Sequence, residues 1–104
     1  MKQSDEEAVR LWQKAANQGR ASAQSCLGVC YENGRGVKQS DKEALRWWQM
    51  AADQDNADAQ FGLACCYKYG RGVKQSDKEA NRWTMKAADQ GHKPAESALD
   101  SFAR

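Results

Sequence analysis

The chain is expected to fold as an all-α solenoid of stacked helical repeats, and three observations carry that expectation. The tetrapeptide Lys-Gln-Ser-Asp occurs at residues 2–5, 38–41 and 74–77, each copy 36 residues after the last. A fixed period in that range marks helical repeats in which each unit packs on its neighbours. Gly34-Arg35-Gly36-Val37 returns as Gly70-Arg71-Gly72-Val73 and Tyr31 returns as Tyr67, so the period extends well beyond the tetrapeptide. Within a unit the apolar residues follow helical spacing: Ala44, Trp47, Trp48, Ala51 and Ala52 stand at i, i+3, i+4, i+7 and i+8, which places them on one broad helix face.

The first helix is predicted over about 5–18, with Ala8, Leu11, Trp12, Ala15 and Ala16 as its stripe. Ser4 stands at its cap and Glu7 three residues on, the pattern of a capping box in which two orphan backbone amides are satisfied reciprocally. The second helix, about 21–33, carries Ala23, Leu27, Cys30 and Tyr31 on one face and stops at Gly34, because glycine readily enters the left-handed conformation just past a helix end. Ser40 and Glu43 open the third helix at about 41–54, whose stripe is the one quoted above. The fourth, about 57–69, repeats the second with Ala59, Leu63, Cys66 and Tyr67 and stops at Gly70. Ser76 and Glu79 open the fifth, about 77–90, on which Ala80, Trp83, Thr84, Ala87 and Ala88 form the stripe. The sixth, about 94–103, carries Ala95, Leu99, Phe102 and Ala103. Pro94 suits its first turn, where a missing N–H leaves no bond unmade. The six helices pair as three hairpins in one domain spanning 1–104. Residues 1–20 read as the second half of a unit, 21–56 and 57–92 as full units, and 93–104 as a first-half capping helix. Asp100 stands where Gly28 and Ala64 stand, which fits a terminal helix with one solvated side.

Composition narrows the function classes. Hydrophobic residues make up 40% and charged residues 29%, enough to bury a core and too apolar for a disordered chain. The net charge is +2 and no Lys/Arg block occurs, so neither a nucleic acid nor a membrane surface is expected as partner. No apolar run approaches the roughly 18 residues of a membrane span, and no apolar stretch follows Lys2 as a secretory leader requires. A cytoplasmic protein is the expectation.

The string Ala-x-Ala-Gln-x-x-Leu-Gly-x-x-Tyr-x-x-Gly-x-Gly-Val, followed by Asp-x-x-Ala-x-x-Trp-x-x-x-Ala-Ala-x-Gln-Gly, resembles the Sel1-like repeat, a relative of the tetratricopeptide repeat. Residues 21–37 with 41–54 carry it once and residues 57–73 with 77–91 carry it again; 1–20 match its second half and 93–104 weakly its first. The resemblance implies a right-handed superhelix of antiparallel helix pairs, a tetratricopeptide-like solenoid that serves as an adaptor for protein–protein contacts and has no chemistry of its own. Three departures stand out. Asp55 replaces the glycine of Gly19 and Gly91, so that helix end lacks the easy left-handed residue and is expected to be capped differently. Thr84 replaces the aromatic of Trp12 and Trp48, which should thin the packing of the last helices. A secreted, disulfide-rich branch of the family bridges the two helices of each unit; the corresponding stretch here is Ala15-Ala16, Ala51-Ala52 and Ala87-Ala88, which argues against that branch.

Other constellations reduce to packing or solvated surface. Cys26 and Cys30 are i, i+4, whereas Cys65 and Cys66 are adjacent and cannot both face one way; with one histidine, His92, in a loop and no Cys-x-x-Cys knuckle, no metal site is expected. The four cysteines read as free thiols, Cys30 and Cys66 in matching core registers. Gly34-Arg35-Gly36 and Gly70-Arg71-Gly72 lack the preceding strand and the further glycines or Lys-Ser/Thr of a phosphate loop, so they are helix-joining turns with solvated arginines. The carboxylates cluster in first turns of helices, where the dipole favours them. Trp12, Trp47, Trp48 and Trp83 fall in the apolar stripe and read as packing. No catalytic residues and no cofactor follow from this inventory.

Comparison of the copies within the chain locates a candidate binding face. The core of the first helix of each unit repeats almost unchanged, while a neighbouring stripe does not: Ser22, Ser25, Val29, Glu32 and Asn33 become Asp58, Phe61, Cys65, Lys68 and Tyr69. The family resemblance places first helices on the concave side of the superhelix. The leading expectation is therefore a non-enzymatic scaffold receiving a protein partner, as a peptide or helix, in a concave groove. Phe61 and Tyr69 would be its apolar anchors, with Lys68, Glu32 and Asp58 selecting charge. The alternative is a structural unit that dimerises or stacks through its end helices, with Leu11, Trp12, Leu99 and Phe102 at the contact.

Overall fold

The computed structural model describes the backbone of residues 2–102 and the side chains of residues 5–101. Six helices lie among the described residues: α1 (Lys2–Asn17), α2 (Ala21–Asn33), α3 (Asp41–Ala52), α4 (Ala57–Tyr69), α5 (Asp77–Asp89) and α6 (Lys93–Phe102). They are antiparallel in sequence order and stack into an all-α solenoid of 43 × 23 × 21 Å. Each helix packs on the helices before and after it, and α2 also touches α4 directly.

The caps follow the local chemistry, with one difference from the expected box. Ser40 and Ser76 hydroxyls accept from the Glu43 and Glu79 amides, both at 3.2 Å. The return bonds do not form. The Ser40 and Ser76 amides donate instead to the Tyr31 and Tyr67 carbonyls at 2.9 Å, which closes the preceding loop. Glu43 and Glu79, released from the box, pair with Arg46 and Arg82. The proposed Ser4 cap lies outside the described side chains, and α1 already runs from Lys2. Gly34 and Gly70 take left-handed C-caps at φ 67° and 65°. Asp55 corrects its expectation: it adopts φ 66°, the same turn as Gly19 and Gly91, rather than a different cap.

Two apolar clusters form the interior, and the half-buried Tyr31 packs against both. Val9, Ala16, Leu27, Cys30 and Trp47 occupy the first, and Trp48, Ala51, Ala59, Leu63, Cys66 and Trp83 the second. Trp48 is the pivot. It is 4% exposed, and its Nε1 donates to the Ser25 carbonyl at 3.2 Å. It fits because both neighbouring helices lack a side chain there: a Cβ on Gly28 would lie 2.6 Å from Trp48 Cε2, and one on Gly62 2.7 Å from the same atom. One period later the volumes exchange. Thr84 takes the place of Trp48, while Ala64 and Ala98 stand at the registers of Gly28 and Gly62. Thr84 is fully buried and its hydroxyl donates to the Ala80 carbonyl at 2.7 Å. The two added methyls make up only part of the lost ring's volume, yet Thr84 is closed to solvent.

A polar chain runs beside the apolar one. Gln24 donates to the Ala16 carbonyl at 3.2 Å and accepts from Gln54 at 2.9 Å; one period on, Gln60 donates to Ala52 at 3.4 Å and accepts from Gln90 at 2.9 Å. Both inner glutamines are 1% exposed, and these bonds satisfy them. The arginines of the glycine loops are not merely solvated, contrary to the sequence reading. Arg71 reaches Glu32 at 3.2 Å and Asp41 at 3.4 Å, and Arg35 reaches Asp5 at 3.4 Å. Gly36 and Gly72 allow this approach, since a Cβ on either would lie within 2.6–2.8 Å of the Asp5 or Asp41 carbonyl oxygen.

Candidate partner groove between helices 2 and 4

A groove of about 420 Å³ opens between α2 and α4. Ser25, Cys26, Val29 and Glu32 of α2 form one wall; Asp58, Phe61, Gly62 and Cys65 of α4 form the other. Trp48 of α3 fills the gap left by the two glycines and contributes to the floor, and His92 and Pro94 close one end. Of the ten residues singled out from the sequence, Ser25, Val29, Glu32, Asp58, Phe61 and Cys65 line this groove. Ser22 and Asn33 are exposed outside it, Tyr69 is 68% exposed beyond its edge, and Lys68 is half-buried outside the lining. The structure therefore brings together the middle of the stripe with Asp58 at one end, and leaves out Ser22, Asn33, Lys68 and Tyr69.

Cys26, Trp48, Gly62, His92 and Pro94 were not anticipated as groove residues. The sequence holds a usable signal for three of them. Cys26 and Gly62 share one register, as do Arg20, Asn56 and His92, and both registers differ between copies. The sequence shows His92 only as a loop histidine, but its side chain is 13% exposed and has two hydrogen-bond partners. Its Nδ1 accepts from the Ala95 amide at 3.2 Å and so caps α6, as Asn56 caps α4 through Ala59. In the neutral ring the proton then sits on Nε2, which donates to Asp58 Oδ1 at 2.8 Å. The ring also tilts against Phe61, with centroids 5.3 Å apart. One side chain thus joins the start of α6 to the apolar and acidic parts of α4.

The electrostatics are one-sided. The charged side chains lining the groove are Glu32 and Asp58, and neither lysine nor arginine is among them. Glu32 is engaged by Arg71 from outside, whereas the Asp58 side chain is 76% exposed and has the His92 hydrogen bond. Both groove thiols are held protonated. Burial pushes the Cys26 thiol up, helped by the Asp58 carboxylate. Burial likewise raises Cys65, helped by Glu32 and opposed by Arg71. As neutral thiols they behave as small apolar surface. All four cysteines are free, and among the described residues no group of three or more His, Cys, Asp or Glu side chains is placed to hold a metal ion. A second hollow, between α3 and α5, is lined by Asp53, Asp55, Glu79, Arg82 and Lys86, so its opposite charges largely answer one another.

The repeat geometry and the paired loops find their counterpart among known proteins. The Sel1 repeat family matches residues 1–19, 21–56 and 57–92, most of the chain. The chain belongs to the Sel1 repeat family. A solved Sel1 repeat protein from Oxalobacter formigenes superposes with a TM-score of 0.87 at 34% identity, covering 92% of this chain and 38% of that one. The protective antigen c5321 of uropathogenic Escherichia coli gives 0.81 at 38% identity, covering 83% of this chain and 18% of that one. Helicobacter pylori cysteine rich protein B gives 0.81 at 26% identity, covering 88% and 68%. The chain thus spans well under half the length of the first two. Comparison with curated proteins gives no significant match. No helix among the described residues is long and apolar enough to cross a membrane.

Proposed function

We propose that this Sel1 repeat chain is a non-enzymatic scaffold that receives a peptide or helix of a protein partner in the α2–α4 groove. The observation that carries the reading is the groove itself: Val29 and Phe61 remain part-exposed on facing helices, although the neighbouring core positions Leu27 and Leu63 are completely buried. Sel1 repeats commonly mediate protein interactions, and an apolar cleft with a few polar groups is what such contacts use. A cytoplasmic setting is part of the proposal, since free thiols persist in reducing compartments.

The test is affinity capture from lysate of the source cells, comparing wild type with a Phe61→Ala/Val29→Gln variant. Thermal unfolding by circular dichroism checks that the variant remains folded. A protein held by wild type and lost by the folded variant is the expected result. Equal recovery on both overturns the groove as the contact. Leu11 at 68% and Trp12 at 36% exposure support a second reading, self-association through α1. Leu99 is half-buried on α6, and the Phe102 side chain lies outside the described residues. A mass that rises with concentration in light scattering, and falls back in a Leu11→Ser/Trp12→Ser variant, would establish it.

A further inference from the structure

Resting on the groove reading, we propose that its occupant is a peptide segment carrying one or two large apolar side chains next to a lysine or arginine. Charge complementarity on an apolar ground selects that occupant. Val29 and Phe61 offer no polar partner to a ligand side chain, and the neutral thiols of Cys26 and Cys65 only weak ones, so that part selects apolar groups. Its volume of about 420 Å³ is near the lower end of ligand pockets, enough for a short segment rather than a long helix.

The acidic end supplies the second element. Asp58 is fixed by the 2.8 Å bond from His92, yet most of its side chain remains exposed. That bond uses Oδ1 alone, which leaves Oδ2 to accept from an incoming ammonium or guanidinium. Glu32 lies on the opposite wall and adds to the same negative field, although Arg71 takes part of its charge. An acidic peptide would meet two carboxylates with no cation in the lining to answer it, which disfavours it by repulsion. His92 cannot fill that role in its neutral form, because its Nε2 proton is already committed to Asp58.

The experiment is panning of a random twelve-residue peptide library displayed on phage against the whole immobilised chain. Kd values follow by fluorescence polarisation for one enriched peptide and for its analogue with the basic residue changed to glutamine. The binding variants are Phe61→Ala and Asp58→Asn; asparagine removes the charge but keeps an oxygen to accept from His92. Enriched peptides should pair an aromatic or large aliphatic residue with lysine or arginine. Asp58→Asn should weaken the basic peptide about two- to fivefold and leave the glutamine analogue unchanged, while Phe61→Ala weakens both. Enrichment of apolar peptides with no basic preference, bound through Phe61, overturns the charge selection and leaves the groove reading standing. An equal effect of Asp58→Asn on both peptides also overturns it. Enrichment insensitive to Phe61→Ala, or none at all, overturns the groove reading and this proposal with it.

Discussion

Exchange of volume between Trp48 and its two glycines gives a prediction whose sign reverses with background. A methyl added at Gly28 would lie 2.6 Å from Trp48 Cε2, and on the other side the ring fills the space beside Gly62, where a Cβ would lie 2.7 Å from the same atom, so it has little room to retreat. Overpacking of this kind costs about 3 kcal/mol at its upper end, and the better helix propensity of alanine returns about 1 kcal/mol. Gly28→Ala should therefore destabilise wild type by about 2 kcal/mol. Trp48→Thr alone removes most of a buried ring and should cost about 3–4 kcal/mol. In that background the clash is gone and only the propensity gain remains, so Gly28→Ala should stabilise by about 1 kcal/mol. The coupling across the cycle is then about 3 kcal/mol. Urea unfolding at 10 °C, followed by far-ultraviolet circular dichroism because a tryptophan is altered at two corners, measures all four variants. One period later Thr84, Ala64 and Ala98 occupy these registers, so the exchanged combination occurs in the chain itself. If Gly28→Ala costs the same with and without Trp48, the two sites are not coupled through the ring and the reasoning fails.

Three further outcomes follow. Asp55→Gly should raise stability by about 0.5–1 kcal/mol in chemical denaturation, because Asp55 sits at φ 66° where Gly19 and Gly91 occupy the matching turns; a loss would show that the Asp55 side chain contributes more than its backbone costs. Gln60→Leu keeps the approximate volume but removes the bonds to Ala52 and Gln90, so it should cost about 1–3 kcal/mol in the same assay. Burial pushes the Cys66 thiol up to about 12, with Glu32 adding to it. The fold thus favours the protonated thiol: this contribution is complete below the ordinary thiol value and is lost as pH rises from there toward 12. At pH 8 a disulfide reagent should label Cys66 last in the native protein and all four cysteines promptly in guanidinium, as read by mass spectrometry; early labelling of Cys66 would contradict its burial.

The helices and the repeat were legible because they rest on local signals. The boundaries of α2 and α4 coincide with the expected 21–33 and 57–69, since a glycine stop and an apolar face define each within a few residues. The third and fifth helices stop one or two residues early, at Ala52 and Asp89, where turns begin that close on Ala51 and Ala87. The groove was only half legible. Val29 on α2 and Phe61 and Cys65 on α4 follow from one-dimensional spacing along each helix, but the floor comes from α3 and the end wall from the α5–α6 turn and the start of α6. Trp48 enters the groove only because Gly28 and Gly62 together make room, a condition on three residues from three helices. The Arg71 pairing was hidden similarly: Glu32 lies 39 residues upstream, and nothing in the Gly-Arg-Gly loop specifies its partner.

The packing of each helix on its sequence neighbours has a kinetic corollary. Contacts closed over short stretches of chain require little loop ordering, so such a molecule should fold within microseconds to milliseconds and without a single obligatory nucleus. Opening is likewise local: α1 and α6, each held on one flank, should exchange their amide hydrogens soonest, and α3 and α4 last. The α2–α4 contact differs, because it skips a helix. A ligand lying across both walls would add a second link of that kind, and protection from exchange would spread through α3 to regions the ligand never touches.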